Sequence, residues 1–287
     1  MIGDSARQTN SFTAHDGTEL AYSANGSGST VICLPGGPMQ DSAYFGDLGG
    51  LASSCRTVML DLRGTGRSAT PDDASSYRCD RLVGDVQALR VHLGLDQVDL
   101  LAHSAGANLA VLYAQAHQER VRRMALITPS TRAVGIDISA EMRLATARLR
   151  AGEPWYPAAI AALELTTSGG GGADEWAAIT PLTYGRWDAA AQAHNAAESG
   201  QQNQEAAMAF GAEGAFTPDD TRARLADVTA PVLLLAGELD VAAPPAAMAE
   251  FAGLFAAARL VVQPGAGHYP WLDDGDRFVS VVAPFFA

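Results

Sequence analysis

Basic residues are scarce in this chain. Its 287 residues hold 19 arginines and no lysine against 32 aspartates and glutamates, a net charge of −13, and the pI is near 4.7. So acidic a surface repels phosphate backbones and anionic lipid, which argues against nucleic-acid and membrane partners. It leaves solubility, or a cationic substrate, as uses for the acids. Long apolar runs are also missing: none approaches the ~20 residues a membrane helix requires. Cysteines number three, Cys33, Cys55 and Cys79, with no CxxC pair and no metal-ligand spacing. They read as free thiols, with Cys33 a core filler inside Val31-Ile32-Cys33-Leu34. The first ten residues lack the basic and apolar stretches of a signal peptide, so the expected compartment is the cytoplasm.

What is present is an alternation. Short apolar runs, Thr30–Leu34, Thr57–Leu60, Val98–Ala102, Met124–Ile127, Pro231–Ala236 and Arg259–Val262, are separated by stretches of helical period such as Leu82–Leu93, Ala105–Ala116 and Ala246–Ala258. Ser11–His15 and Glu19–Ala24 flank Asp16-Gly17, a hairpin signal. Continuously apolar strands alternating with helices predict a parallel sheet covered on both faces, with functional residues at the carboxyl ends of its strands. From Val134 to Asp227 the rhythm breaks. That segment is Ala-rich, carries Trp155, Tyr156, Trp176, Tyr184, Trp187, Phe210 and Phe216, and includes Gly169-Gly170-Gly171-Gly172. It reads as a helical insertion between two strands.

Leu100-Leu101-Ala102-His103-Ser104-Ala105-Gly106 places a serine between an apolar strand and an Ala-rich helix, with small residues two before and two after it. This is the pattern of a nucleophile elbow, with Ala102 where the first Gly usually stands. A serine hydroxyl attacks only when a base takes its proton, and the base is normally a histidine oriented by a carboxylate. Downstream, Ala236-Gly237-Glu238-Leu239-Asp240 leaves one apolar strand and Pro264-Gly265-Ala266-Gly267-His268 leaves the next. Asp240, placed just past the strand end, is preferred to Glu238 as the acid. His268 is the one histidine that follows it. Candidate donors for an oxyanion are the N–H groups of Ala105, at the helix start, and Gly37, in the loop Pro35-Gly36-Gly37-Pro38. His103 is expected to pack or line the pocket, and His15, His92, His117 and His194 to lie at the surface.

Leu34-Pro35-Gly36-Gly37-Pro38, Asp61-Leu62-Arg63-Gly64-Thr65-Gly66-Arg67-Ser68, the elbow, Gly237…Asp240 and Gly267-His268 together resemble the α/β-hydrolase fold family. With Tyr113-Ala114-Gln115-Ala116-His117-Gln118-Glu119-Arg120-Val121, they are similar, more narrowly, to the proline iminopeptidases. The resemblance implies a mostly parallel eight-stranded sheet with helices on both faces. Residues 1–133 and 228–287 would form the core and 134–227 an inserted helical cap. It also implies structural, loop-fixing roles for Asp61 and Arg63. Pro35 stands where that group has His, Met39 where it has its last Gly, and Val241 where an amine-binding acid often follows the catalytic Asp.

The function expected is acyl transfer through Ser104, Asp240 and His268, without a metal or organic cofactor. The first expectation is release of an N-terminal residue from a small peptide, with Glu205 or Glu213 of the insertion facing the substrate's ammonium group and cap aromatics around an apolar group. Glu164 and Glu198 are expected to be solvated. The rival is an esterase, lactonase or specialised-metabolite amide hydrolase on the same residues, favoured by Val241. A non-catalytic ligand-binding protein of the same fold is the third reading.

Overall fold

The computed structural model of the protein describes residues 9–198 and 200–287; the first eight residues of the polar N-terminal stretch lie outside it. Eight strands form one sheet in the order β1-β2-β4-β3-β5-β6-β7-β8. They are β1 (Thr9–Thr13), β2 (Glu19–Asn25), β3 (Thr30–Leu34), β4 (Arg56–Leu60), β5 (Val98–His103), β6 (Val121–Ile127), β7 (Val232–Gly237) and β8 (Ala258–Gln263). β1 and β2 are the antiparallel hairpin around Asp16-Gly17, and β2 meets β4 antiparallel. Every other neighbouring pair is parallel. β5 and β7 are buried at every position, which is why β7 reads as an unbroken apolar run and β5 as one interrupted only by Asp99 before it ends at His103.

Side chains alternate across each strand, so each strand feeds two cores. On one face, Ile32, Leu100, Leu126 and Leu234 pack with residues of helices α1 (Cys79–His92), α2 (Gly106–Ala116) and, after β7, the helix Pro245–Ala252. On the other, Val31, Cys33, Leu101 and Leu233 pack with Phe278 and Val282 of the C-terminal helix Gly275–Phe286. All three cysteines are buried and unpaired, and burial raises each thiol's pKa.

Between β6 and β7 the described residues form no strand. The chain makes α3 (Ala140–Ala147), α4 (Tyr156–Thr167), α5 (Ala173–Ile179), α6 (Ala189–Glu198), α7 (Gln204–Phe210) and α8 (Pro218–Leu225). The four consecutive glycines link α4 to α5. Part of this segment has its own small core of Ala147, Ala159, Leu163, Ile179 and Leu182, which closes over Val241. The helix Pro245–Ala252 is α9, Pro270–Asp273 is α10 and Gly275–Phe286 is α11. Among the described residues no helix is long and apolar enough to cross a membrane.

β3 lies between β4 and β5. The chain therefore leaves β3 toward one side of the sheet and later returns to the other, and their carboxyl ends diverge into a crevice. The loop after β4 is anchored nearby. Asp61 accepts from the Ser42 hydroxyl at 2.6 Å and the Arg67 amide at 3.0 Å. Arg63, almost wholly buried, donates from Nε to Asp85 at 2.8 Å and from Nη1 to Asp16 at 2.7 Å.

Candidate active site

Ser104 sits at the first turn beyond β5 with φ +49°, in the left-handed region that costs a side-chain-bearing residue energy. The turn is held because the Ser104 amide donates to Ile127 O at 3.1 Å. It is tight because a Cβ at Gly106 would stand 2.5 Å from the carbonyl oxygens of Leu34 and Pro35. Ala102, fully buried, shows that the position two before the serine tolerates a methyl.

His268 Nδ1 lies 2.8 Å from Asp240 Oδ2, and its Nε2 lies 2.9 Å from Ser104 Oγ. An ionised carboxylate only accepts, so Nδ1 carries the proton and Nε2 is free to accept from the serine hydroxyl. The other Asp240 oxygen accepts from the amides of Ala242 at 2.8 Å and Ala243 at 3.1 Å. Burial opposes the imidazolium, but the charge of Asp240 and its hydrogen bond outweigh it, so the His268 pKa stands above the ordinary histidine value. Glu238, the competing acid, is exposed and accepts from the Gly265 amide at 2.8 Å. The two loops meet closely: a Cβ at Gly237 would lie 2.1 Å from Gly267 O.

A second chain of hydrogen bonds was not legible in the sequence. The Gly36 amide donates to Tyr44 Oη at 2.8 Å, Tyr44 Oη lies 2.7 Å from His103 Nδ1, and His103 Nε2 lies 2.9 Å from His268 O. A carbonyl only accepts, so His103 donates from Nε2 and receives the tyrosine proton at Nδ1. The ring is kept neutral, its pKa lowered by burial and further by the charge of His268. His103 thus joins the Gly36-Gly37 loop to the backbone of His268, and Thr128 donates to the same carbonyl at 2.8 Å. His103 and Tyr44 are 59 residues apart, and no motif links them.

Three expectations for surface residues are corrected. His117 is half-buried, its ring 5.0 Å from that of Tyr113. His194 is half-buried and within 2.9 Å of Tyr184 Oη. Glu198 is half-buried and accepts from the Tyr269 hydroxyl. His194 and Glu198 belong to an aromatic cluster with Tyr44 and Tyr269 that backs His268; a helix face of alternating Ala and polar residues gave no hint of it.

Ser104 and His268 open into a cavity of about 390 Å³ that Gly37 and Ala105 also line. Neither of those two amides donates to a backbone carbonyl among the described residues. The segment after β6 supplies Arg132, Asp137, Arg143 and Phe210 to the other wall. Glu205 and Glu213, expected to face a substrate amine, are exposed and do not line it. Both lie near Phe210 in sequence, but Phe210 turns inward and they do not. Of the seven aromatics singled out in the insertion, Phe210 alone lines the cavity. Tyr184 is buried against its neighbours and Trp176 is 64% exposed.

A serine raised on a strained strand-to-helix turn, at the crevice of a mostly parallel sheet, defines a class, and the comparisons agree with it. The chain belongs to the α/β hydrolase fold family, whose model matches residues 29–274. Among curated relatives, the proline iminopeptidase of Heyndrickxia coagulans is 33% identical over 108 residues, covering 38% of each chain. That of Lactiplantibacillus plantarum is 36% identical over 85 residues, 29% of this chain and 30% of the relative. The chain thus spans less than two fifths of the length of these relatives. Among solved structures, the proline iminopeptidase of Mycobacterium smegmatis superposes with a TM-score of 0.72 at 24% identity, over 96% of this chain and 97% of that one. An esterase from Exiguobacterium antarcticum superposes at 0.71 with 19% identity, over 96% and 98%. At these identities the superpositions show the fold alone.

Proposed function

We propose that the protein is a serine hydrolase that cleaves small esters or amides through an acyl-enzyme. The observation that carries this is the unbroken line of hydrogen bonds from Ser104 through His268 to Asp240 at the mouth of the cavity. In this reading Ser104 Oγ attacks the substrate carbonyl carbon while His268 Nε2 takes its proton. Asp240 holds the ring in place and stabilises the imidazolium. The carbonyl oxygen becomes an oxyanion and receives hydrogen bonds from the Ala105 and Gly37 amides. His268 returns its proton to the leaving oxygen or nitrogen as the tetrahedral intermediate collapses. Water then adds to the acyl carbon, with His268 again as base, and the carboxylic acid departs. Residues 1–133 and 228–287 act as the catalytic core and 134–227 as a cap that shapes the substrate's space.

Aminopeptidase action is the second reading, favoured by the iminopeptidase relatives. A buried ammonium group needs a carboxylate partner. Asp137 is the carboxylate that lines the cavity beside the candidate nucleophile, and it replaces Glu205 and Glu213 as the residue to test. The experiment is kcat/KM for prolyl arylamide, N-acetylprolyl arylamide and short-chain nitrophenyl esters. Turnover of the esters with equal or better use of the acetylated amide supports the general hydrolase. A strong preference for the free amine, lost in Asp137→Asn, supports the aminopeptidase. Absence of turnover on all three counts against both.

A further inference from the structure

The acidity of the chain does not extend into its cavity. Thirty-two carboxylate residues face 19 basic ones in the sequence. The lining reverses that balance: Arg132 and Arg143 stand there against one carboxylate, Asp137. Asp240 lies behind His268 and is already engaged by it.

Arg143 is the more constrained of the two arginines. It projects from α3, is half-buried, and burial lowers its pKa against the pull of Asp240 and Asp137. Nη1 donates to Val241 O at 2.7 Å. No carboxylate among the described residues comes within ion-pair distance of it. The two nearly buried arginines among the described residues are treated differently: Arg63 is paired with Asp16 and Asp85, and Arg150 with Glu153 at 3.2 Å. A guanidinium that is partly desolvated and unpaired carries an unmet cost, which an anion brought into the cavity relieves. Arg132, exposed and lying 5.6 Å over the Phe216 ring, adds positive potential at the same wall.

We propose that Arg143 is an anion subsite of this cavity, and that the substrate is an ester or amide bearing a carboxylate. The proposal rests on the hydrolase reading and narrows its substrate class. It also weighs against a free-amine substrate, whose charge two arginines repel.

The structural alternative is that Arg143 only ties α3 to the loop after Asp240. A ratio separates the two. Two matched pairs are compared at low salt: 4-nitrophenyl hydrogen adipate with its methyl ester, for a charge on the acyl side, and 4-carboxyphenyl acetate with its methyl ester, for a charge on the leaving side. Wild type is expected to favour the anion in one pair by about tenfold in kcat/KM, after correction for the intrinsic reactivity of each ester. Arg143→Met brings that ratio near one and Arg143→Lys leaves part of it. A wild-type ratio near or below one in both pairs overturns the proposal. So does a ratio that survives in Arg143→Met, because a merely structural tie slows both members of a pair together. If Arg143→Met fails to fold, inhibition of wild type by adipate and by adipamide is read instead. A tenfold lower inhibition constant for adipate supports the subsite, and equal constants overturn it. Failure of the hydrolase reading looks different: no ester is turned over and a fluorophosphonate leaves Ser104 unlabelled.

Discussion

The cavity has two walls built on different principles. The wall at the strand ends is pinned atom by atom. The Ser104 amide is held by Ile127 O, the His268 carbonyl by Thr128 and His103, and Gly237 has no room for a methyl beside Gly267 O; the segment after β6 adds one fixed point, Thr183 O, to which the His268 amide donates at 2.7 Å. The wall from the segment after β6 is looser. It is made of a turn and short helices that pack partly on the main core and partly on a small core of their own, and it presents Asp137 and Arg132 at exposed positions and Arg143 half-buried. In the account proposed here, the pinned wall makes and breaks bonds and the looser wall chooses what enters. Preorganisation has to be rigid, whereas selection by charge tolerates play of a side chain.

The pinned wall is most sensitive at Asp240. Asp240→Asn removes the carboxylate that fixes the tautomer of His268, and kcat is expected to fall on the order of 10⁴-fold. Glu238→Gln, two residues earlier on the same loop, changes activity little because the exposed Glu238 carboxylate accepts from the Gly265 amide and does not line the cavity. Steady-state kinetics on both folded variants checks this, and the reverse ranking would transfer the role of acid to Glu238.

Rigidity of the pinned side also depends on the Arg63 anchor. Arg63→Met leaves Asp85, fully buried, without its partner. Chemical denaturation should show a loss of about 3–5 kcal/mol.

The pH dependence has a definite sign. His268 must be neutral to take the serine proton, and Asp240 raises its pKa. kcat/KM therefore falls as pH falls through a midpoint above the ordinary histidine value of about 6.5. In His103→Phe the neutral relay to Tyr44 is lost and kcat should fall with KM little changed, which a pH-rate series on both proteins would show.

The smallest effects belong to the exposed carboxylates of the insertion that stay outside the cavity. Glu205→Gln and Glu213→Gln should leave kcat/KM for prolyl arylamide and for esters within about twofold of wild type. A selective rise in KM for the free amine in either variant would restore that residue as an amine ligand.

How much of this was legible in the sequence follows the same division. The pinned wall is written in local patterns, because a strand end, a tight turn and a small residue must be adjacent in the chain. The buried strands, the hairpin at Asp16-Gly17 and the strand-end positions of Ser104, Asp240 and His268 could be read that way, while the eight-stranded sheet as a whole came from the family resemblance. The insertion could be recognised as helical from the absence of strand patterns. Which of its side chains turn inward could not, since Glu205 and Arg143 both sit in Ala-containing helices, and Glu213 in a turn between two helices, with no neighbour that marks one of them as facing the cavity. Contacts between distant segments were equally silent, as with Tyr44 and His103 or Glu198 and Tyr269.

The account's central claim is that Ser104 is a nucleophile activated by His268. The direct measurement is intact-protein and peptide mass spectrometry after brief exposure to a fluorophosphonate. Wild type should gain one adduct, located on the peptide that contains Ser104, and His268→Ala should gain it far more slowly. An adduct on another residue, or one that persists in Ser104→Ala, would contradict the assignment.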